Sequence, residues 1–384
     1  MTEPVLSVVA ASRNDDHGGS LVERTQWFVD GLDALARRHQ AVVELVLVEW
    51  NPPDGRPPLA EVQHWPEGGS PLRVKIVSVG ASVHRELVGD RGLPMMQMLA
   101  KNVGIRRAAA PRILATNIDV LIAPELFTTM LGAVEPRVVY RADRYDVEFP
   151  FTGVAEGVSG FDEALAFCRS HPLRYARKDG IYYPGQGRAL PIYQSLGDLV
   201  SFEAGRAVGR LGARRSSGAA TEPKAPASRR LALSSALRAL PDRWNAAVSL
   251  ATAPKLHVNA CGDFTLMSAE SWSELRGYPE WIVHSWHLDT LLMHQAHGAG
   301  FEFVELAPPQ VVFHMEHGQG SGWTPEGQVA HFKRVDATGI RTISSGELRR
   351  RKAELARNRR EGHAMVYNAA NWGMANAELP VLAV

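Results

Sequence analysis

The chain has 384 residues, 45% hydrophobic and 22% charged. That is an ordinary globular composition, ample for a large core, and its length suggests about two domains. A formal net charge of +1 supplies no global field to select nucleic acid or a membrane, and two distant cysteines, Cys168 and Cys261, form neither a disulfide framework nor a zinc-type spacing.

The opening residues, MTEPVLSVVAASRNDD, show no basic segment followed by a long apolar run, so no signal peptide is expected. No stretch reaches the length of a membrane span. A cytoplasmic protein is the expectation.

In chain order, VLSVVAA (5–11) is a short apolar run rich in β-branched residues and predicts a buried strand. The polar loop SRNDDHGG follows. Ser20 and Glu23 have capping-box spacing, and Leu21, Thr25, Phe28, Leu32 and Leu35 recur at helical intervals to about Arg38. VVELVLVEW (42–50) predicts a second strand, stopped by NPPDGRPP, and RVKIVSV (73–79) a third. A helix is expected over 94–109, then a fourth strand at RILATN (112–117). Strands alternating with helices predict a parallel, doubly wound sheet for this half.

The middle is less regular. RVVYRADRYDV (137–147) reads as strand and loop, and DGIYYPGQGRALPIY (179–193) as a covering loop, a candidate lid. Residues 206–230 hold seven Arg and Lys against one Glu, with Gly, Ala, Ser and Pro between them, and predict a mobile solvated insertion. Order returns at LHVNACGDFTLMSAESWSELRGYPEW. A helix is expected over 287–298, strands at FEFVEL and VVFHMEHG, and a basic, solvated helix over 346–360 that offers a peripheral contact to an anionic surface.

Ligands of doubly wound sheets bind beyond the carboxyl ends of the strands, and four polar clusters stand at such ends. After the first strand come Ser12, Arg13 and Asn14, with Gly18 and Gly19 leading into a helix, where backbone N–H groups can approach a phosphate. No dinucleotide-type or P-loop glycine motif is present. After the second strand, Glu49 can accept from a base or ribose beside the flat face of Trp50. After the fourth, Asn117 and Asp119 point to one face of an extended segment and suit Mg²⁺ or Mn²⁺, although such a pair also serves to cap a turn. His314 and His317 follow the last apolar run; three apart on a strand they face opposite ways, so only one joins a given cation unless the chain turns. Asp289 starts a helix, as a cap or as a base projecting into a cleft.

Together these clusters resemble the GT-A glycosyltransferases. KNVGIRRAAAPRILATNIDVLIAPELF looks like the segment that ends in their DxD-type metal motif, with Asn117 in place of the first Asp. GDFTLMSAESWSELRGYPEW followed by HLDTLLMHQAHGAGFEFVEL is similar to the second half of galactosyltransferase-like members, and HMEH to their late histidine ligand. The resemblance covers roughly 5–150 and 256–318. It implies a mixed α/β sheet flanked by helices, an NDP-sugar donor, most often UDP-linked, a hydroxyl acceptor, and a divalent cation. It implies that Ser12, Arg13 and Asn14 line the nucleotide cleft, that Glu49 meets the base or ribose, and that Asn102 meets nucleotide or sugar. It further implies that Asn117 and Asp119 take metal and diphosphate, that Asp263 meets sugar or acceptor, that Asp289 is the base of an inverting transfer, and that His314 or His317 completes the metal site. The expected organisation is a nucleotide-sugar half at 1–150, a variable insertion at 151–255, a catalytic half at 256–330 and a helical extension at 331–384. A sugar-1-phosphate nucleotidylyltransferase would want a Gly-rich basic loop after the first strand, which SRNDDHGG matches poorly; a sugar- or nucleotide-binding module without turnover is the other alternative.

Overall fold

Every residue of β1 (Leu6–Ser12) and β2 (Val43–Trp50) is buried, so both strands are covered on both faces, as in the middle of a parallel sheet. The computed structural model describes residues 2–89, 91–151, 158–185, 187–191, 255–317 and 325–384. Between β1 and β2 runs α1 (Leu21–His39); α2 (Leu59–Val62) leads to β3 (Leu72–Val79), and α3 (Ala81–Val88) and α4 (Gln97–Arg106) lead to β4 (Arg112–Ala115). After a turn come β5 (Val120–Ile122), α5 (Pro124–Leu131) and β6 (Val138–Val147). Next are α6 (Phe161–Ser170) and the strands β7 (Pro172–Arg177), β8 (Gly180–Tyr183) and β9 (Gly187–Pro191). The later part supplies β10 (Thr265–Ser268), α7 (Ala269–Leu275), α8 (Leu288–Gly298), β11 (Glu302–Met315), α9 (Pro325–Ala337), α10 (Ser345–Arg360) and β12 (Val381–Ala383).

The sheet runs β12-β3-β2-β1-β4-β10-β6-β7-β8-β9, with β11 beside β6 and β5 beside β11. Pairs β3–β2, β2–β1 and β1–β4 are parallel; β10 lies antiparallel between β4 and β6, which makes the whole a mixed α/β sheet. Alternation splits its side chains into two cores. Val8, Ala10, Leu45 and Leu47 pack with α1, α5 and α6, whereas Val9, Ala11, Val46 and Val48 pack with α4, α7 and α8. The sheet is thus a layer between two sets of helices.

Several expectations change in detail. Ser20 adopts a left-handed φ of 50° and its side chain caps nothing; Asp16 Oδ1 accepts from the Leu21 N–H instead, at 3.1 Å. The loop expected over 179–193 is largely a hairpin, because Ile181, Tyr182 and Tyr183 suit a pleated surface and Pro184-Gly185 makes the turn. The two strands expected at FEFVEL and VVFHMEHG are one, β11, which ends at Met315 and has its register interrupted between Leu306 and Val311. The basic stretch 206–230 lies outside the described residues. Among the described residues, no helix is long and apolar enough to cross a membrane. At the far edge, β12 pairs antiparallel with β3, and Arg107 holds the segment before it by donating to the carbonyls of Gly373, Met374 and Ala377.

Candidate active site

β4 ends at Ala115, and the chain then turns through Ile118 and Asp119 into β5. Asn117 therefore precedes a turn that contains Asp119, and the two do not alternate along an extended segment. Ile118 is buried, which anchors the turn in the core. β5 pairs with β11 in the register Val120–His314, and the Asp119 carbonyl accepts from the Met315 N–H at 2.9 Å. The late histidines are thereby delivered to the early carboxylate. β11 ends at Met315, where the chain leaves the strand, so both His314 and His317 face Asp119.

One nitrogen of each histidine and one oxygen of Asp119 lie within 4.8 Å of one another. Nε2 of His314 and Nε2 of His317 are each 3.7 Å from Asp119 Oδ2. Asp146, on β6, accepts from or pairs with His314 Nδ1 at 2.9 Å, which turns Nε2 towards Asp119. Asp146 is itself held by Arg144 at 2.9 Å and Arg174 at 2.5 Å. Gly18 (φ +79°) makes room for this cluster: a Cβ there would overlap Nδ1 of His317. Gly18, and not Gly19, thus makes room for the histidine ring.

The electrostatics are those of a site short of positive charge. Burial and Arg144 oppose protonation of His314, yet Asp119 and Asp146 outweigh them and push its pKa up to about 9. Burial alone would raise the Asp119 carboxyl; His314, His317 and Arg24 win and hold it well below the usual range. Burial lowers His317 to about 4, so it is a neutral imidazole at pH 7. Asp119 Oδ1 and His317 Nδ1 are buried and have no hydrogen-bond partner. One carboxylate oxygen and two imidazoles, with a carboxylate behind one of them, fit a divalent cation such as Mn²⁺; Mg²⁺, which prefers oxygen throughout, fits this donor set less well. A cation would take the place of the His314 proton.

A second polar group adjoins the first. Lys101, fully buried on α4, donates to Asn117 Oδ1 and to the Gly262 carbonyl, both at 2.7 Å. Asn117 Nδ2 donates to Asp263 Oδ1 at 2.5 Å, and Arg144 donates to Asp263 Oδ2 at 2.7 Å. Burial lowers Lys101 to about 8 against the opposing pull of Asp263, Asp289 and Asp119, so this ammonium stands among all three carboxylates. Asp289 is half-buried at the start of α8, accepts from the Thr290 N–H at 2.7 Å, and has its pKa raised by burial. Its Oδ2 would lie 3.3 Å from a Cβ on Gly262.

The remaining expected residues are placed as follows. Ser12 ends β1 in register with Glu49, and its buried Oγ has no partner. Arg13 donates to the Asn51 carbonyl at 2.5 Å and pairs with Asp15 at 2.9 Å. Asn14 donates to the Pro57 carbonyl at 2.8 Å and lines an open pocket with Asp16, Gln26, Arg56 and His64. Glu49 accepts from the Leu59 N–H at 2.8 Å, so it holds the start of α2. Asn102 is spent on packing the chain: its amide accepts from Tyr278 N–H and donates to Tyr278 O, both at 2.8 Å, and to Glu280. Sequence reasoning missed Arg24, Lys101, Arg144, Asp146 and Arg174. Only the alternation of Arg144 and Asp146 along β6 was a visible signal; the other contacts are purely tertiary.

No protein-family model and no curated protein matches the chain. Among solved structures, that of the galactosyltransferase LgtC in complex with donor and acceptor sugar analogs matches over 39% of this chain, at 14% identity and a TM-score of 0.23. The match spans about half of that chain, 49%. A likeness at this level carries no argument about what the present chain does.

Proposed function

We propose that this chain is a metal-assisted glycosyltransferase, moving a sugar from a nucleoside diphosphate sugar, UDP-linked by preference, to a hydroxyl acceptor. One observation carries the reading. At the end of the strands, Asp119, His314 and His317 form a cation-type donor set, and the buried Lys101 beside it feels Asp119, Asp263 and a separate carboxylate, Asp289. Asp119, His314 and His317 would hold the cation, which supplies neutralisation of the charge gathering on a departing diphosphate.

The chain's own residues have distinct tasks. Asp146 fixes the His314 ring through Nδ1, and Arg144 and Arg174 fix Asp146. Ser12, Arg13 and Asn14, at the end of β1, line the approach for the nucleotide. Asp289 accepts the proton of the attacking hydroxyl; its raised pKa makes it a better base than an exposed carboxylate. A single base apart from the leaving group suits inversion at the anomeric carbon. The segments 1–150 and 256–330 are then the donor and catalytic halves, with 331–384 an extension whose last strand, β12, returns to the edge of the same sheet.

The test is a panel of UDP-sugars incubated with the chain, with and without Mn²⁺, following release of UDP. Mn²⁺-dependent release from one sugar, abolished in Asp289→Asn and Asp119→Asn, is the expected result. Absence of release from every donor, together with unperturbed UDP binding, would leave a binding module and defeat the proposal.

A further inference from the structure

Asn117 occupies the first position of the turn motif, where a metal ligand is the obvious reading. Its hydrogen bonds point elsewhere. The side-chain oxygen has two lone pairs, and two donors take them: Lys101 Nζ at 2.7 Å and Gln97 Nε2 at 3.1 Å. The amide nitrogen donates to Asp263 at 2.5 Å. The orientation follows from the partners. An ammonium can only donate, so it requires the oxygen; an ionised carboxylate can only accept, so it requires the NH₂.

We infer that Asn117 is a polarity adaptor and not a cation ligand: it joins the donor Lys101 to the acceptor Asp263, and through Asp263, Arg144 and Asp146 it positions His314. The links are continuous. Asp263 Oδ2 accepts from Arg144 at 2.7 Å, Arg144 pairs with Asp146 at 2.9 Å, and Asp146 meets His314 Nδ1 at 2.9 Å. Lys101, Asp263, Arg144, Asp146 and His314 are all buried, so beyond the half-buried Asn117 an error at one link is not repaired by water. An aspartate at position 117 would satisfy Lys101 but would set a second carboxylate against Asp263. The chemistry demands a side chain that accepts at one end and donates at the other, and the Asn117 amide does both.

The inference rests on the metal reading of Asp119, His314 and His317 only for its last link. It is tested by exchanging the pair. Asn117→Asp alone should lower the thermal midpoint by about 5 °C and weaken Mn²⁺ binding by about tenfold, as outer partners of metal ligands do. Asp263→Asn alone should do likewise, since it leaves Arg144 with only the Asp146 carboxylate and removes the charge that the Asn117 amide donates to. The double variant Asn117→Asp with Asp263→Asn restores every link with the same net charge. The amide it introduces at position 263 donates to the carboxylate it introduces at position 117 and accepts from Arg144. It should recover most of both losses.

Calorimetric titration with Mn²⁺ and thermal melts on the four full-length proteins decide the matter. If Asn117→Asp binds Mn²⁺ more tightly than wild type, residue 117 is a ligand and the adaptor role is overturned. A double variant no better than the worse single variant, or one that fails to fold, also overturns it. Should wild type bind no Mn²⁺ at all, the metal reading falls by itself, and recovery of the thermal midpoint alone judges the adaptor.

Discussion

Arg24 on α1 and Asp119 in the turn before β5 meet at 3.1 Å, with the Arg24 side chain only 1% exposed. The guanidinium also donates to the carbonyls of His17 and Gly19. Arg24 therefore ties the loop after β1 to the carboxylate and leaves Asp119 Oδ1 as the oxygen with no partner. Removing Asp119 has two consequences, and they are separable. Asp119→Ala strands a buried cation and should cost about 3 kcal/mol of stability. Asp119→Asn keeps an acceptor for Arg24 and should cost about 1 kcal/mol. Both should lose Mn²⁺ binding. Urea denaturation beside Mn²⁺ titration checks this; equal stability of the two variants would show that Arg24 does not depend on Asp119.

Gly18→Ala puts a methyl group where the His317 ring lies, at a φ of +79°. The backbone strain is about 1 kcal/mol, and the ring must shift. We expect a loss of Mn²⁺ affinity comparable to that of His317→Ala. Gly19→Ala is the control, because a Cβ at Gly19, also at φ +79°, meets nothing within 4 Å. Equal Mn²⁺ affinity in both glycine variants would refute a role of the Gly18 gap in placing His317.

Asp289→Asn should lower turnover by about 10²- to 10⁴-fold while UDP and Mn²⁺ binding stay within about twofold of wild type, because a base acting on the acceptor contributes little to donor affinity. Single-turnover measurements with a reactive UDP-sugar read the first quantity and titration the second. Unchanged turnover removes Asp289 from the proton transfer.

Asp143 gives a pH signature away from the cation set. Burial raises its pKa to about 6, against the opposing Arg177 and Arg141. Its neighbour His257, 3.7 Å away, is lowered to about 2 by burial and is neutral, so it gives no ion pair. Between the ordinary value of 3.8 and about 6, the unfolded chain has released the proton and the folded chain retains it. Stability attributable to this group therefore falls as pH rises through that window, by about 3 kcal/mol in total. Asp143→Asn should be flatter than wild type between pH 4 and pH 6.5 in urea melts. Parallel curves for the two proteins would show that Asp143 titrates normally.

The first three strands were legible because each is an apolar, β-branched run, buried on both faces at Leu45–Val48. Asp119 was legible for the opposite reason: a carboxylate beside a buried strand needs a partner, and no partner was near in sequence. What it pairs with was not legible. That both His314 and His317 reach it depends on β11 ending at Met315, which alternation cannot show. The amide of Asn102 looked equally available at the level of sequence, yet residues far along the chain, Tyr278 and Glu280, consume it. Glu49 likewise meets the Leu59 N–H, a partner supplied by a loop whose path no local pattern records.

The position of β10 between β4 and β6 bears on how the protein is made. During synthesis β1, β2, β3 and β4 leave the ribosome early, and the edge strand Arg112–Ala115 waits for Thr265–Ser268 to cover it. In that interval Lys101 and Asn117 lack Gly262 and Asp263, their acceptors in the finished protein. A nascent chain with a bare, apolar edge is a template for other nascent chains. We therefore expect soluble yield to fall steeply with expression rate and to recover when translation is slowed over the stretch before Thr265 or a holding chaperone is supplied; a yield indifferent to both would show that the early strands pair only after the whole chain is released.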